Sequence, residues 1–347
     1  MKECLKKIGL SLFVVILSLQ GQIEESIVDH LNHPDLEALE GKLPSSSLEE
    51  ATKLFARRED KIRVVSYNVL FNLPWAEKEL KEENRWPKRR ERLVELLDTL
   101  DFDVLGTQEL QKDQLDWLNT QLAKDYAVYG FGRKDGRNEG EIQAVFYRKG
   151  RFALVGGKTI FLSETPDKPG PNVHGKSNAL TELRLRDLEQ GLELMVLNVH
   201  LAYSNMASRQ YEADLIAKRI KALEKNNQDI PIILMGDFNT FPFLRDEELP
   251  FYDGNEVTRT LTKDSLKESL TLSHLGHFGP LSSTNYSTEE KKGFVDLGTP
   301  GVILDHIFVN EFFEVLVHGI DPAKVDGFYP SDHFPVIADL IIKEKKR

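Results

Sequence analysis

Six short polar segments are spaced through this chain, each at the end or start of an apolar run. They are Ser66-Tyr67-Asn68-Val69, Gln108-Glu109-Leu110, Asn198-Val199-His200-Leu201, Gly236-Asp237-Phe238-Asn239, Leu304-Asp305-His306-Ile307 and Ser331-Asp332-His333. Carboxylates, amides and imidazoles at strand ends stand on the rim of a rigid sheet. Hard divalent cations are held by such oxygens, Mg²⁺ in particular, because it keeps several waters and binds substrate phosphate beside one or two carboxylates. Imidazole adds proton transfer near neutral pH, and a carboxylate behind the ring fixes its tautomer. Hydrolysis of a phosphoester needs these functions together: a water in line with phosphorus, stabilisation of charge on the phosphoryl oxygens, and an acid for the leaving oxygen. One such segment alone is more often a turn former or a solvated cap. The information lies in the ordered set.

The apolar runs predict the elements that must position these groups. Strands are expected at 62–67, 103–108, 143–148, 152–161, 180–186, 192–200, 230–235, 304–309 and 334–342. Helical spacing appears in Leu93, Val94, Leu96, Leu97 and Leu100 after Pro87. It recurs in Leu115, Leu118 and Leu122, and again over 208–223 through Ala213, Ile216, Ala217, Ile220 and Leu223. Strand-rich runs with single inserted helices, in two similar halves, predict an α/β architecture of two packed sheets flanked by helices. Polar strand ends on one side would then converge in a cleft between the sheets.

Composition narrows the chemistry further. At 347 residues, 40% hydrophobic and 29% charged, the chain has enough apolar material for a large core. Its net charge of −11 argues against sequence-independent binding to long duplex DNA, which relies on a basic surface. It does not exclude a phosphate substrate, because a bound cation inverts the local field. The single cysteine, Cys4, leaves the body without disulfides or thiolate zinc sites. Residues 1–21 resemble a secretory signal: Lys2, Lys6 and Lys7 precede an apolar stretch from Ile8 to Leu19, shorter than the roughly 20 residues of a membrane span. An uncleaved N-terminal anchor is the alternative. In both cases the expected place of work is extracytoplasmic, secreted or periplasmic. Residues 22–60 are acidic and broken by Pro34, Pro44 and Ser45-Ser46-Ser47, which reads as a linker or short exposed helices. The folded domain is expected over 61–343, as a monomer with no integral membrane span.

The ordered set resembles the endonuclease/exonuclease/phosphatase superfamily, whose members include deoxyribonuclease I-like nucleases, abasic-site endonucleases, neutral sphingomyelinases, inositol polyphosphate 5-phosphatases and deadenylases. The Asn-Val after a first strand, the Gln-Glu, the Asn-x-His, the Gly-Asp-Phe-Asn and the Ser-Asp-His stand in the family's order across roughly residues 61–343. The resemblance implies a four-layered α/β sandwich with two central mixed sheets. It implies a Mg²⁺ site, with Mn²⁺ as a substitute, in which Glu109 is the main ligand, Asn68 lies beside it and Asp332 lies near or on the metal. Asp237 would orient or deprotonate the attacking water, and Asn239 would hold a nonbridging phosphate oxygen. His333 and His200 would flank the phosphate, with Asp305 fixing the tautomer of His333. Glu141 aligns with an acidic residue that pairs the first histidine in the deoxyribonuclease branch.

Other residues carry weaker signals. Arg133, in a basic turn with Lys134 and Arg137, could contact substrate phosphate, and Tyr203 and Trp75 follow cleft segments. Trp75, Trp86 and Trp117 otherwise read as core or helix-packing residues. His306 should point away from Asp305 by strand alternation. His174, His274, His277 and His318 read as solvated. Asn285-Tyr286-Ser287 fits a glycosylation sequon. The leading expectation is an exported, metal-dependent phosphodiesterase or nuclease. A phosphatase or lipid phosphodiesterase, sphingomyelinase-like or phosphoinositide phosphatase-like, is the first alternative. A binding domain that kept the fold without the chemistry is the second.

Overall fold

The computed structural model describes residues 61–203, 205–227, 229–240, 256–280, 282–284 and 303–343. The leader at 1–21, the stretch at 22–60, the Asn285 sequon and the 241–254 loop lie outside these residues. In chain order the elements begin with β1 (Ile62–Asn68), α1 (Pro74–Glu77), α2 (Trp86–Leu100), β2 (Val104–Gln108), α3 (Lys112–Leu122), β3 (Tyr126–Tyr129) and β4 (Val145–Arg148). They continue with β5 (Phe152–Phe161), β6 (Ala179–Asp187), β7 (Glu193–His200), α4 (Met206–Asn226), β8 (Ile232–Asp237) and α5 (Glu256–Thr262). The chain closes with β9 (Lys267–Glu268), α6 (Ser269–Leu272), β10 (His277–Phe278), β11 (Asp305–Val309), β12 (Phe313–Ile320) and β13 (Val336–Ile342).

The strands form two sheets, in the orders β10-β12-β13-β1-β2-β4-β3 and β5-β6-β7-β8-β11-β9. Both are mixed: β1 runs parallel to β2 and antiparallel to β13, and β8 runs parallel to β7 and antiparallel to β11. Period-2 alternation sends Val64, Val104, Leu183, Val196, Ile233, Ile307 and Leu340 into a shared core between the sheets. Their neighbours face outward. Val65, Tyr67, Leu105 and Phe146 pack on Leu93, Leu96 and Leu97 of α2 and Leu115 and Leu118 of α3. On the far side Leu197, Val199, Leu234 and Phe308 pack on Ala213, Ile216 and Ile220 of α4. Three apolar layers between four structural layers make the expected sandwich. Strands buried on both faces explain why their sequences read as unbroken apolar runs.

The sequence reading passed over several elements, including the four strands β3, β9, β10 and β12. β12 carries a register shift between Val315 and Val317, which breaks its alternation. β3 is short and half-buried at a sheet edge. Missing β12 and β10 led to a wrong expectation: His277 and His318 are not solvated. They lie opposite each other in the β10–β12 pair, both buried, with Nδ1 atoms 2.9 Å apart. His174 and His274 are exposed as expected. His306 is buried on the face away from the cleft, held by Glu268 at 2.6 Å. Trp86 packs edge-on against Trp117 at 5.6 Å, whereas Trp75 is exposed rather than packed.

The two sheets are bolted together next to the strand ends. Gln108 of β2 donates through Nε2 to Asn198 Oδ1 of β7 at 2.7 Å. Asn198 in turn donates to the carbonyls of Thr107 and Ala144 at 2.9 and 2.8 Å. Gly106 makes room for this crossing, since a β-carbon there would lie 2.9 Å from the Asn198 side chain. Both residues are fully buried. They belong to the polar segments picked out in the sequence, and they join the sheets rather than line the cleft.

Candidate active site

Strand register assembles the site. His200, Asp237 and Asp305 end or begin β7, β8 and β11, and the ladder pairs His200 with Asp237 and Asp237 with Asp305. Three adjacent strands thus present imidazole, carboxylate and carboxylate in a row. Gly236 permits this closeness: with φ +153° it packs on β7 so tightly that a β-carbon would lie 2.0 Å from the Val199 carbonyl oxygen. The opposite sheet supplies Asn68 at the end of β1 and Glu109 just past β2. The turn before β13 supplies Asp332 and His333.

Asp237 lies at the centre. Its Oδ2 is 3.6 Å from His200 Nε2 and 3.8 Å from His333 Nε2. The same oxygen accepts from Asn68 Nδ2 at 3.0 Å, and that nitrogen also donates to Glu109 Oε1 at 3.1 Å. One amide therefore ties the carboxylates of two sheets together. Asn68 is oriented by its own Oδ1, which accepts from the Leu70 amide at 3.1 Å. Glu109 Oε2 accepts from the Phe71 amide at 3.1 Å. Asp237 Oδ1 accepts from the Asn239 backbone at 2.9 Å, while the Asn239 side chain donates to the Leu201 carbonyl at 3.0 Å.

Each histidine has its own carboxylate. His333 Nδ1 lies 2.6 Å from Asp305 Oδ2, and His200 Nδ1 lies 3.1 Å from Glu141 Oε2. Asp305 is further held by Ser283, whose hydroxyl donates to Oδ2 at 2.7 Å. Glu141 is held by Arg133, which donates to Oε1 at 2.6 Å and to Asn178 Oδ1 at 2.8 Å. Arg133, which the sequence offers as a phosphate contact or, more commonly for such residues, a solvated turn, is committed to Glu141. Tyr203 is exposed beyond the His200 strand, its carbonyl held by buried Arg209 at 2.7 Å.

Electrostatics follow from this crowding of acids. Burial disfavours charge on His200, but Asp237 and Glu141 outweigh it and push its pKa up to about 9. Burial likewise opposes charge on His333, and Asp305, Asp237 and Asp332 raise it well above the ordinary imidazole value. Burial also raises Asp305, so the pair competes for a proton. Asp237 and Asp332 beside the ring favour charge on His333. Glu141 is pushed up by burial, yet its hydrogen bond to His200 and the Arg133 charge bring it below its usual value. Glu109 is raised to about 7, chiefly by burial and then, against the pull of His200, by Asp332 and Glu141.

A buried carboxylate pushed up among other acids fits a cation in its place. The carboxylate oxygens of Glu109 and Asp332 are the hard donors Mg²⁺ and Mn²⁺ take, whereas Asn68, expected beside them at the metal, turns its Nδ2 to Glu109 and its Oδ1 to the Leu70 amide. A second arrangement is geometrically open: Asp237, Asp305 and His333 each bring a ligand atom within 4.8 Å of the others. There, however, His333 Nδ1 and Asp305 already satisfy each other. Backbone strain gathers at the same place. Leu70, Glu109 and Asn239 hold φ of +58°, +67° and +49°, a conformation non-glycine residues seldom adopt.

The structure brings Asn68, Glu109, Glu141, His200, Asp237, Asn239, Asp305, Asp332 and His333 to one end of the sandwich. Sequence reasoning missed Ser283 and Arg89. Ser283 sits in a plain Ser-Ser-Thr run and gains meaning only through the bridge between Thr284 and His333. Arg89 lies on a helix, fully buried, with its guanidinium against the carbonyls of Val69, Leu70 and Phe71 at 2.5, 2.5 and 3.3 Å, and of Pro330 at 3.4 Å. Arginine at helical spacing carries no signal that it will be buried.

Comparison with known proteins agrees with the geometry. The sequence profile of the endonuclease/exonuclease/phosphatase family matches residues 65–333. A Ccr4 3'-5'-exoribonuclease subunit of Neosartorya fischeri is 22% identical over 93% of this chain and 52% of its own length. The chain spans about half the length of that relative. Two solved Bacteroides thetaiotaomicron structures are covered completely. One is an endonuclease/exonuclease/phosphatase family protein, 25% identical over 83% of this chain with a TM-score of 0.68. The other is a mannosyl-6-phosphatase, 26% identical over 81% with a TM-score of 0.67.

Proposed function

Since this chain belongs to the endonuclease/exonuclease/phosphatase family, we propose that it is a divalent-metal-dependent hydrolase of small phosphate esters, working outside the cytoplasm. The observation that carries the reading is the Asp237 carboxylate standing between two imidazole Nε2 atoms, at 3.6 and 3.8 Å, each ring backed by its own carboxylate. Asp237 would take the proton of the attacking water and set its line of approach. His200 and His333, held protonated, would donate to phosphoryl oxygens as charge builds there, and one would protonate the leaving oxygen. Glu109 and Asp332 would hold Mg²⁺ or Mn²⁺, which would neutralise charge on the phosphoryl group, with Asn68 fastening Glu109 beside Asp237. Asn239 lends its backbone amide to Asp237, and the Nδ2 hydrogen not given to the Leu201 carbonyl would hold a nonbridging oxygen.

Two observations favour small substrates. The net charge of −11 disfavours long polyanions. The mannosyl-6-phosphatase, covered over the whole of its solved chain, is by its name a phosphatase of a sugar phosphate. The second reading, an exoribonuclease, is favoured by the Ccr4 relatives. Export rests on the leader at 1–21 and is checked by fractionating the native host. The central test is a hydrolysis panel of mannose 6-phosphate, bis-p-nitrophenyl phosphate, oligoadenylate and sphingomyelin, run with Mg²⁺ and with chelator. Mg²⁺-dependent release of phosphate from the monoester is expected, and Glu109→Gln should remove it. Turnover that persists fully in chelator would end the metal assignment. Oligoadenylate as the preferred substrate would replace the first reading by the second.

A further inference from the structure

The segment that follows Asn68 carries more order than a connecting loop needs. Leu70 holds a left-handed backbone at φ +58° although it is not glycine, a conformation that must be held in place by its surroundings. Arg89, fully buried, gives its guanidinium to the carbonyls of Val69, Leu70 and Phe71. Gln114 donates to the Leu70 carbonyl at 3.0 Å, and Asn72 donates to Asp113 at 2.6 Å. The loop is therefore fastened along its length. The Phe71 amide donates to Glu109 Oε2 at 3.1 Å, which sets this residue beside the candidate metal carboxylate. Beside it, Trp75 opens α1 after Pro74, its ring centre 5.6 Å from that of Phe71. Trp75 is nonetheless 65% exposed. A large indole left in water on a rigid mount, set beside Phe71, whose amide meets Glu109, is arranged to receive something flat and apolar.

We infer that Phe71 and Trp75 form an aromatic wall that receives the ring carried on the alcohol side of the phosphoester, with Trp75 as the stacking face. The inference deepens the proposed function and rests on it. A ring seated there would place its phosphate toward Glu109 and Asp237. Because Arg89 fixes the loop beforehand, little ordering would be lost on binding. A hexose presents an apolar ring face and a nucleobase a π face, and the indole accepts both.

The test measures binding in the Asp237→Asn variant with Mg²⁺, so that turnover does not consume the probe. Calorimetric affinities are compared for mannose 6-phosphate, adenosine 5'-monophosphate and ringless glycerol 3-phosphate. At least one ringed ester should bind about tenfold tighter than the ringless one, the size expected for one stacking contact, and the two ringed arms tell sugar from base. Adding Trp75→Ala should erase the preference and leave the affinity for glycerol 3-phosphate unchanged, whereas Trp75→Phe should retain most of it. Equal affinities for all three esters, or a preference that survives Trp75→Ala, would overturn the wall. So would failure of both ringed esters to bind a protein whose wild type hydrolyses phosphoesters. A wild type that hydrolyses no phosphoester would instead remove the function on which the wall depends.

Discussion

Asp305 and Glu141 each meet the Nδ1 of an imidazole that faces Asp237, yet one is built into a sheet and the other hangs from a turn. Asp305 begins β11, opposite Asp237 in the ladder, fully buried and only 2.6 Å from His333. Ser283 supports it three times over: it donates to the carboxylate and accepts from the Leu304 and Asp305 amides at 2.8 and 3.1 Å. Glu141 lies just before the isolated bridge of Ile142 with Leu110, 3.1 Å from His200, and depends on the partly exposed Arg133 for its position. A group fixed by strand pairing loses little freedom on reaching its reactive geometry, while a group on a turn must be restrained by side chains. The His333 side is therefore the stiffer half of the site, and the His200 side the adjustable one.

The contrast makes graded predictions. Asp305→Asn should cost most, lowering kcat about 10³–10⁴-fold, because the ring loses both its tautomer and its charge. A thermal melt close to wild type would show that the loss is not unfolding. Glu141→Gln should cost less, about 10–100-fold, since Asp237 still faces His200. If steady-state assays find the two losses equal, the asymmetry is wrong. Arg133→Met should cost roughly threefold to tenfold by loosening Glu141, and Arg133→Lys should recover only part of it, because one ammonium cannot bridge Glu141 and Asn178 as a guanidinium does.

The smallest expected effect is on stability against pH, measured in chelator. The folded-state pKa of His200 is raised to about 9 from an ordinary imidazole value near 6.5. A raised imidazole binds its proton more tightly when folded, so its contribution is complete below pH 6.5 and is lost as pH climbs through about 9. The melting temperature should fall by several degrees across that window. Glu141→Gln should flatten the fall. The buried pair His277 and His318 acts in the opposite sense. Burial lowers both, and the His277 and His306 rings further disfavour charge on His318, so acid below about pH 6.5 should destabilise the fold. A melt that rises steadily from pH 6.5 to 9 would contradict the His200 assignment.

The parts of the site that sequence made legible are those that strand ends announce. Asn68, Glu109, His200, Asp237, Asp305 and His333 each close or open an apolar run, and a run buried on both faces is visible without coordinates. The sandwich was legible for the same reason, since outward and inward residues alternate along β1, β2, β7 and β8. What stayed hidden depends on contacts between distant segments. Ser283 reaches Asp305 across 22 positions, and Arg89 reaches Pro330 across 241. Arg133 was visible as a basic turn but not as the restraint on Glu141. His277 and His318 were misjudged because two-residue β10 has too little length to show a period.

Gln108 and Asn198 have a consequence for timing. Because these buried amides join the sheets at the base of the cleft, the halves carrying Glu109 and Asp237 cannot slide apart and re-close with each cycle. Substrate thus enters a mould already set when the chain folded, and turnover need not wait on a rigid-body swing of one sheet over the other.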